Sequence, residues 1–220
     1  MSVLHDPELE QLLAALHVRS DAQVPVIAGY PAQQATADQM KAFRRDKLVA
    51  LDRDKAEFCY QLCRASDARR IVEIGTSHGV STLYLAAAVR DNIRASGGTG
   101  TVIGTEYEPE KAAAARAHFA QAGLDGFIEL REGDLRETLK QIDGPVDFML
   151  VDIWIAIARP GLELVAPHLR PGAIVVCDNT EQHRDAYADY FAFLNDPANG
   201  FRTMTLPFSG GFELSVHCPV

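Results

Sequence analysis

Two rhythms run through this chain. Short β-branched apolar runs alternate with longer stretches whose apolar residues recur every three or four positions. The first reads as buried strand, the second as a helix with one buried face. Strands are predicted over residues 70–74, 101–106, 127–131, 146–151 and 173–177. Helices are predicted between them, over residues 80–89, from Pro109 to a stop at Gly123, over 135–142 and over 162–169, ending at Arg170-Pro171-Gly172. Alternating strands and helices build a parallel sheet covered on both faces. Residues 182–194 then form a helix through Tyr187, Tyr190, Phe191 and Leu194. Two last strands, 201–206 and 212–217, flank a turn too short for a crossover, so they run antiparallel. The expected fold class is α/β: a doubly wound, mostly parallel seven-stranded sheet closed by an antiparallel C-terminal hairpin.

The first fifty residues lack this alternation. Asp6-Pro7-Glu8 reads as a cap, a first helical proline and a first-turn acid, followed by Leu9, Leu12, Leu13 and Leu16 at helical spacing. Residues 24–31 read as irregular, and Thr36 to Gln39 as a capping box opening a helix with Met40 and Phe43. A third helix over 54–64 carries Phe58, Cys59, Leu62 and Cys63 on one stripe. Residues 1–50 are therefore expected as a helical cap on a core of residues 51–220, a single domain overall.

Size and charge narrow the picture. A chain of 220 residues with 47% hydrophobic content suits one α/β domain. A formal charge of −9 opposes binding to nucleic acid, which needs a basic excess to meet phosphates. No apolar run approaches the roughly 20 residues needed to span a bilayer, and no leader pattern opens the chain, so no membrane partner and a cytoplasmic location are expected. Cys59, Cys63, Cys177 and Cys218 show neither disulfide nor zinc spacing and read as reduced thiols.

The chemistry centres on Ile71-Val72-Glu73-Ile74-Gly75-Thr76-Ser77-His78-Gly79-Val80-Ser81, a strand, glycine loop and helix start. A dinucleotide loop would need glycines where Ser77 and Val80 stand. The E-x-G-x-x-x-G spacing instead favours a nucleoside cofactor without a pyrophosphate. In such sheets ligands bind beyond the carboxyl ends of the strands. Glu106 ends the second strand, where a carboxylate can accept both hydroxyls of a ribose. Asp152 follows the fourth strand, and Asp178-Asn179 follow the fifth. Two carboxylates and an amide on strands about 5 Å apart make a hard oxygen set suited to Mg²⁺ or Ca²⁺.

The loop resembles motif I of the class I S-adenosylmethionine-dependent methyltransferases. Together with Asp147-Phe148-Met149-Leu150-Val151-Asp152 and the stretch from Leu169-Arg170-Pro171-Gly172 to Cys177-Asp178-Asn179, the chain from about Leu51 to Val216 resembles the catechol and caffeoyl-CoA O-methyltransferases. The resemblance implies S-adenosylmethionine held by Glu73, Gly75, Thr76, Ser77, Gly79, Ser81, Glu106, Asp134, Asp152 and Trp154. Glu73 would face the cofactor's amino group, Ser81 its carboxylate and Asp134 its adenine, although Asp134 also suits a helix cap. It further implies a divalent metal, most simply Mg²⁺, on Asp152, Asp178 and Asn179. The acceptor would be a small hydroxylated or aromatic molecule, and the assembly a homodimer. The relatives carry a lysine base three residues after the fourth-strand aspartate, next to a tryptophan. Trp154 matches, but Ile155 stands at the lysine position. His78, His183 and Lys47 are the other candidates for a base. A metal-independent N- or O-methyltransferase, and a domain that binds the cofactor without catalysis, stay open alternatives.

Overall fold

The computed structural model describes residues 3–31 and 34–219. Seven strands, β1(Arg70–Ile74), β2(Thr101–Glu106), β3(Ile128–Glu132), β4(Val146–Val151), β5(Leu169–Asp178), β6(Phe201–Leu206) and β7(Phe212–His217), form one sheet in the order β3-β2-β1-β4-β5-β7-β6. The pairs among β1 to β5 are parallel, whereas β7 runs antiparallel to both β5 and β6. Strand order reverses between β1 and β4, which opens a crevice where their carboxyl ends separate.

Nine α-helices cover the sheet among the described residues: α1(Pro7–Asp21), α2(Val24–Ala28), α3(Ala37–Arg44), α4(Arg53–Ala65), α5(Val80–Ser96), α6(Pro109–Gln121), α7(Leu135–Thr138), α8(Ile155–Val165) and α9(Ala188–Asn195). Alternation along each strand sorts the core into two layers. Ile71, Phe148, Leu150 and Val176 pack with α1, α4, α5 and α6 on one face. Val72, Ile74, Met149, Val151, Val175 and Cys177 pack with α7, α8 and α9 on the other. Leu9, Leu13 and Leu16 of α1 belong to the first layer. The first helix thus shares a core with the sheet. No helix among the described residues is long and apolar enough to cross a membrane.

Several boundaries differ from the sequence expectation: α5 runs on to Ser96 instead of ending at 89, and α7 stops at Thr138 instead of 142. Val24–Ala28 is a short helix with Pro25 in its first turn. The helix expected over 162–169 begins at Ile155 and includes Pro160. Its buried Ala158, Gly161, Leu162 and Val165 hold it against the sheet, and packing overrides the helix-breaking signal. Gly161 lies so close that an added Cβ would stand 2.4 Å from Ile74 Cδ1. Arg170-Pro171-Gly172 lies inside β5, where the pairing with β4 shifts register, instead of ending a helix. The helix expected over 182–194 starts only at Ala188.

Candidate active site at the strand tips

The register aligns one rim of the sheet. Ile74 pairs with Thr105 and Val151, and Val151 pairs with Cys177. The next residues on these strands, Gly75, Glu106, Asp152 and Asp178, therefore lie side by side, as the resemblance requires. Gly75 adopts φ +100°, and a Cβ there would stand 1.9 Å from the Asp152 carbonyl oxygen. Only glycine allows the loop to cross the end of β4 so closely. Gly79, at φ +80°, also packs against α6, where a Cβ on it would stand 2.4 Å from the Phe119 ring. Ser77 is also left-handed, with φ 51°, which turns its backbone N–H toward β2.

That turn sets the geometry of Glu106. The Ser77 amide donates to its Oε2 and the Glu108 amide to its Oε1, both at 2.7 Å. The carboxylate is held rigid, yet each oxygen keeps lone-pair capacity for a further donor. Leu48, Leu51, Thr76, Ser77, His78 and Asp152 line a small cleft between the residues leading into α4 and the glycine loop.

Ser81 lines this cleft, and Glu73 sits beneath it. Glu73 is fully buried and accepts from Ser81 Oγ at 2.6 Å, from Thr76 Oγ1 at 2.9 Å and from Thr82 Oγ1. Burial pushes its pKa up, against the pull of these three hydroxyls. Three donors are what a buried carboxylate needs to avoid an uncompensated charge. Asp134 caps α7, accepting from the Arg136 amide at 2.9 Å. Its carboxylate also pairs with the Arg136 guanidinium, which holds its pKa down at about 2.

The candidate bases occupy three different settings. His78 is buried beside the cleft, and its carbonyl accepts from His118 Nδ1 at 2.9 Å. Burial first, then the Lys111 and Arg19 charges, push its pKa from 6.5 to about 4. His183 is exposed in the turns before α9. Lys47 pairs with Asp46 at 2.5 Å and lies 5.2 Å from the Phe43 ring centre. Trp154 caps α8 with 47% exposure and carries the Arg44 guanidinium 5.5 Å from its ring centre, so it is a surface residue rather than core. Ile155 opens α8.

The neutral, buried state of His78 has a measurable consequence. The unfolded chain takes up a proton near pH 6.5, while the folded chain resists until about 4. The unfolded state then holds more protons, so stability is complete above 6.5 and falls as pH drops toward 4. Urea unfolding between about pH 7 and about pH 5 should cost the wild type about 2 kcal/mol more than His78→Gln. Equal losses in the two proteins would reject this account.

The fifth strand brings in a residue that sequence reasoning passed over. Lys55, on α4, is only 1% exposed. Its Nζ lies 2.6 Å from Asp178 Oδ1 and 2.9 Å from Asp52 Oδ2. Asp178 is itself buried, and its Oδ2 accepts from Asn179 Nδ2 at 2.8 Å. Burial works to lower the Lys55 pKa, but the two carboxylates outweigh it and the net shift is upward, so the ammonium is retained. Burial, then the Asp178 and Glu73 charges, raise Asp152. The available signal was a basic side chain in the first turn of a helix, where the dipole disfavours it, three residues after an acid.

This arrangement does not fit the expected divalent ion. Asp152, Asp178 and Asn179 do meet at neighbouring tips, but Asp178 Oδ1 already holds an ammonium and Asn179 presents an N–H₂ to Oδ2.

Comparison with known proteins agrees with this geometry. A family profile described as a methyltransferase domain matches residues 72–180, from β1 to just past β5. A catechol O-methyltransferase of Mycobacterium tuberculosis is 32% identical over 132 residues, covering 60% of this chain and 57% of that protein. A catechol O-methyltransferase of Niastella koreensis is 28% identical over 149 residues, covering 60% of this chain and 64% of that protein. The matched stretch thus spans less than two thirds of either relative. Among solved structures, a cofactor-bound protein of Mycobacterium tuberculosis superposes with TM-score 0.73 at 24% identity over 98% of this chain and 91% of its own, a likeness of fold. With motif I at the β1 tip, an acid at the β2 tip and this profile spanning the strands between, the chain is similar to the class I S-adenosylmethionine-dependent methyltransferases and, among them, to the catechol and caffeoyl-CoA O-methyltransferases.

Proposed function

We propose that this protein moves a methyl group from S-adenosylmethionine to a hydroxyl of a small, hydroxylated aromatic molecule. The observation that carries the reading is the Glu106 carboxylate, fixed by the Ser77 and Glu108 amides beside the Gly75 crossing. A rigid acceptor pair of this kind suits the two hydroxyls of a ribose and needs no counter-charge. Thr76, Ser77 and Gly75 bring backbone close to the cofactor, and Asp134 offers a carboxylate toward the adenine end. Leu48 and Leu51, which line the cleft, would cover the methionine end of the bound cofactor. Asp152 puts a carboxylate at the same rim, where it offsets a sulfonium charge.

The cofactor supplies an electrophilic methyl group. In the reaction the sulfur–methyl bond breaks, an oxygen–methyl bond forms, and the hydroxyl proton leaves for solvent. What the chain contributes is alignment of the two partners, a large part of the rate in such transfers. Trp154 and the apolar start of α8 offer a wall for an aromatic acceptor, in keeping with the names of the relatives. The metal-independent version of this reaction is preferred over the Mg²⁺ version because Lys55 holds the cation position.

Titration with S-adenosylhomocysteine tests the cofactor half. At about 100 times its Kd the ligand adds about 2.7 kcal/mol, which should raise Tm by about 5–10 °C. Mass spectrometry of catechol-type acceptors should then detect the methylated product. An unmoved Tm would end the reading, and binding without turnover across a broad acceptor set would favour the non-catalytic alternative.

A further inference from the structure

We propose that Lys55 is a built-in counter-ion that replaces a divalent metal at the β4 and β5 tips, so that the chain takes no metal there until this side chain is removed. The inference rests on the methyltransferase reading only for its interest, since the ion-pair geometry stands by itself. Lys55 is almost wholly buried, a rare state for lysine unless it is paired. It leaves the first turn of α4, where a positive charge works against the helix dipole, so helix stability does not explain its place. Its ammonium reaches Asp178 on another element at 2.6 Å and Asp52 at 2.9 Å. Asp178 and Asp152 both feel this one cation. Removing one partner from a buried ion pair leaves an uncompensated charge. A Lys55→Met chain would therefore hold Asp178 and Asp52 without their cation, with Asp152 at the neighbouring strand tip and an amide beside Asp178 that can rotate its oxygen inward. That is a hard oxygen set of the kind Mg²⁺ or Mn²⁺ accepts. Lys55 would thus be a positioning residue: it keeps the Asp178 and Asp52 carboxylates ordered and neutralised at the rim, and leaves Asp152 to face the cofactor.

Manganese binding, read by electron paramagnetic resonance, separates the possibilities. The wild type should bind no stoichiometric Mn²⁺ at millimolar metal, and its activity should survive EDTA. Lys55→Met should bind one Mn²⁺ per chain, and Asp178→Asn added to it should abolish that binding. A wild type that binds one Mn²⁺ and loses it in Asp178→Asn overturns the proposal. So does a folded Lys55→Met that binds none. If Lys55→Met does not fold, the wild-type and Asp178→Asn titrations still decide. S-adenosylhomocysteine binding measured on the same wild-type sample tests the methyltransferase reading separately, because it can fail while the manganese result stands.

Discussion

Gly75→Ala should lower stability by about 3–5 kcal/mol and abolish binding of S-adenosylhomocysteine. Two penalties add at one position. The backbone stands at φ +100°, a conformation worth about 1–3 kcal/mol of strain to an L-residue. The new Cβ would also stand 1.9 Å from the Asp152 carbonyl oxygen and 2.8 Å from its carbonyl carbon. Both are backbone atoms of the β4 end, which the sheet holds in register with β1 and β5, so neither can step aside. Forced overpacking of this kind costs about 1–3 kcal/mol more. For a chain of this size the loss corresponds to a fall in Tm of about 10 °C. Relief of the clash requires moving the loop that carries the Ser77 amide, which disorders the Glu106 carboxylate. A Gly75→Ala protein with unchanged Tm and unchanged affinity would show that the crossing is not what shapes the site. Gly97 is the control: it too has a positive φ, but a Cβ there meets nothing within 4 Å, so Gly97→Ala should carry the backbone strain alone and leave binding intact.

The second large effect is on affinity. Glu106→Gln should weaken S-adenosylhomocysteine binding by about 10- to 100-fold, since hydrogen bonds to a charged group contribute about 1.5–3 kcal/mol. The substitution does harm twice. It removes the charge that a ribose diol would meet, and it presents an N–H₂ to one of the two backbone amides that now donate to the carboxylate. Glu106→Ala leaves both amides without that acceptor and should reduce affinity at least as much. Isothermal titration on each variant, with Tm recorded beside it, distinguishes lost ligand contact from a collapsed loop. Affinity within threefold of wild type in both variants would remove Glu106 from the cofactor site and with it the main support for the proposed reaction.

Much of the rim could be read from residues in order. Short continuous apolar runs marked the strands because a strand buried on both faces has no polar side. The acid or glycine after each run marked its carboxyl end because the chain leaves the sheet there and meets solvent. Glu106, Asp152 and Asp178 were legible for that reason, as was Gly75 from the motif spacing. The tail of the β4 connection was less so. Pro160 and the Pro171-Gly172 pair are strong local punctuation, yet one sits within α8 and the other within β5, because buried side chains on either side outweigh them. Trp154 could not be assigned to core or surface from its position alone, since that depended on where α8 begins.

The amino-acid order by itself determined the alternation, the strand ends and the type of chemistry at the rim, because these depend on local periodicity and on which residues tolerate a turn. Tertiary structure alone decided who partners whom. Glu73 is answered by hydroxyls three, eight and nine positions away on the loop and helix that follow, and Asp178 is answered by Lys55 across 123 positions of sequence. A buried charge is settled by what surrounds it in space, and no spacing along the chain records that.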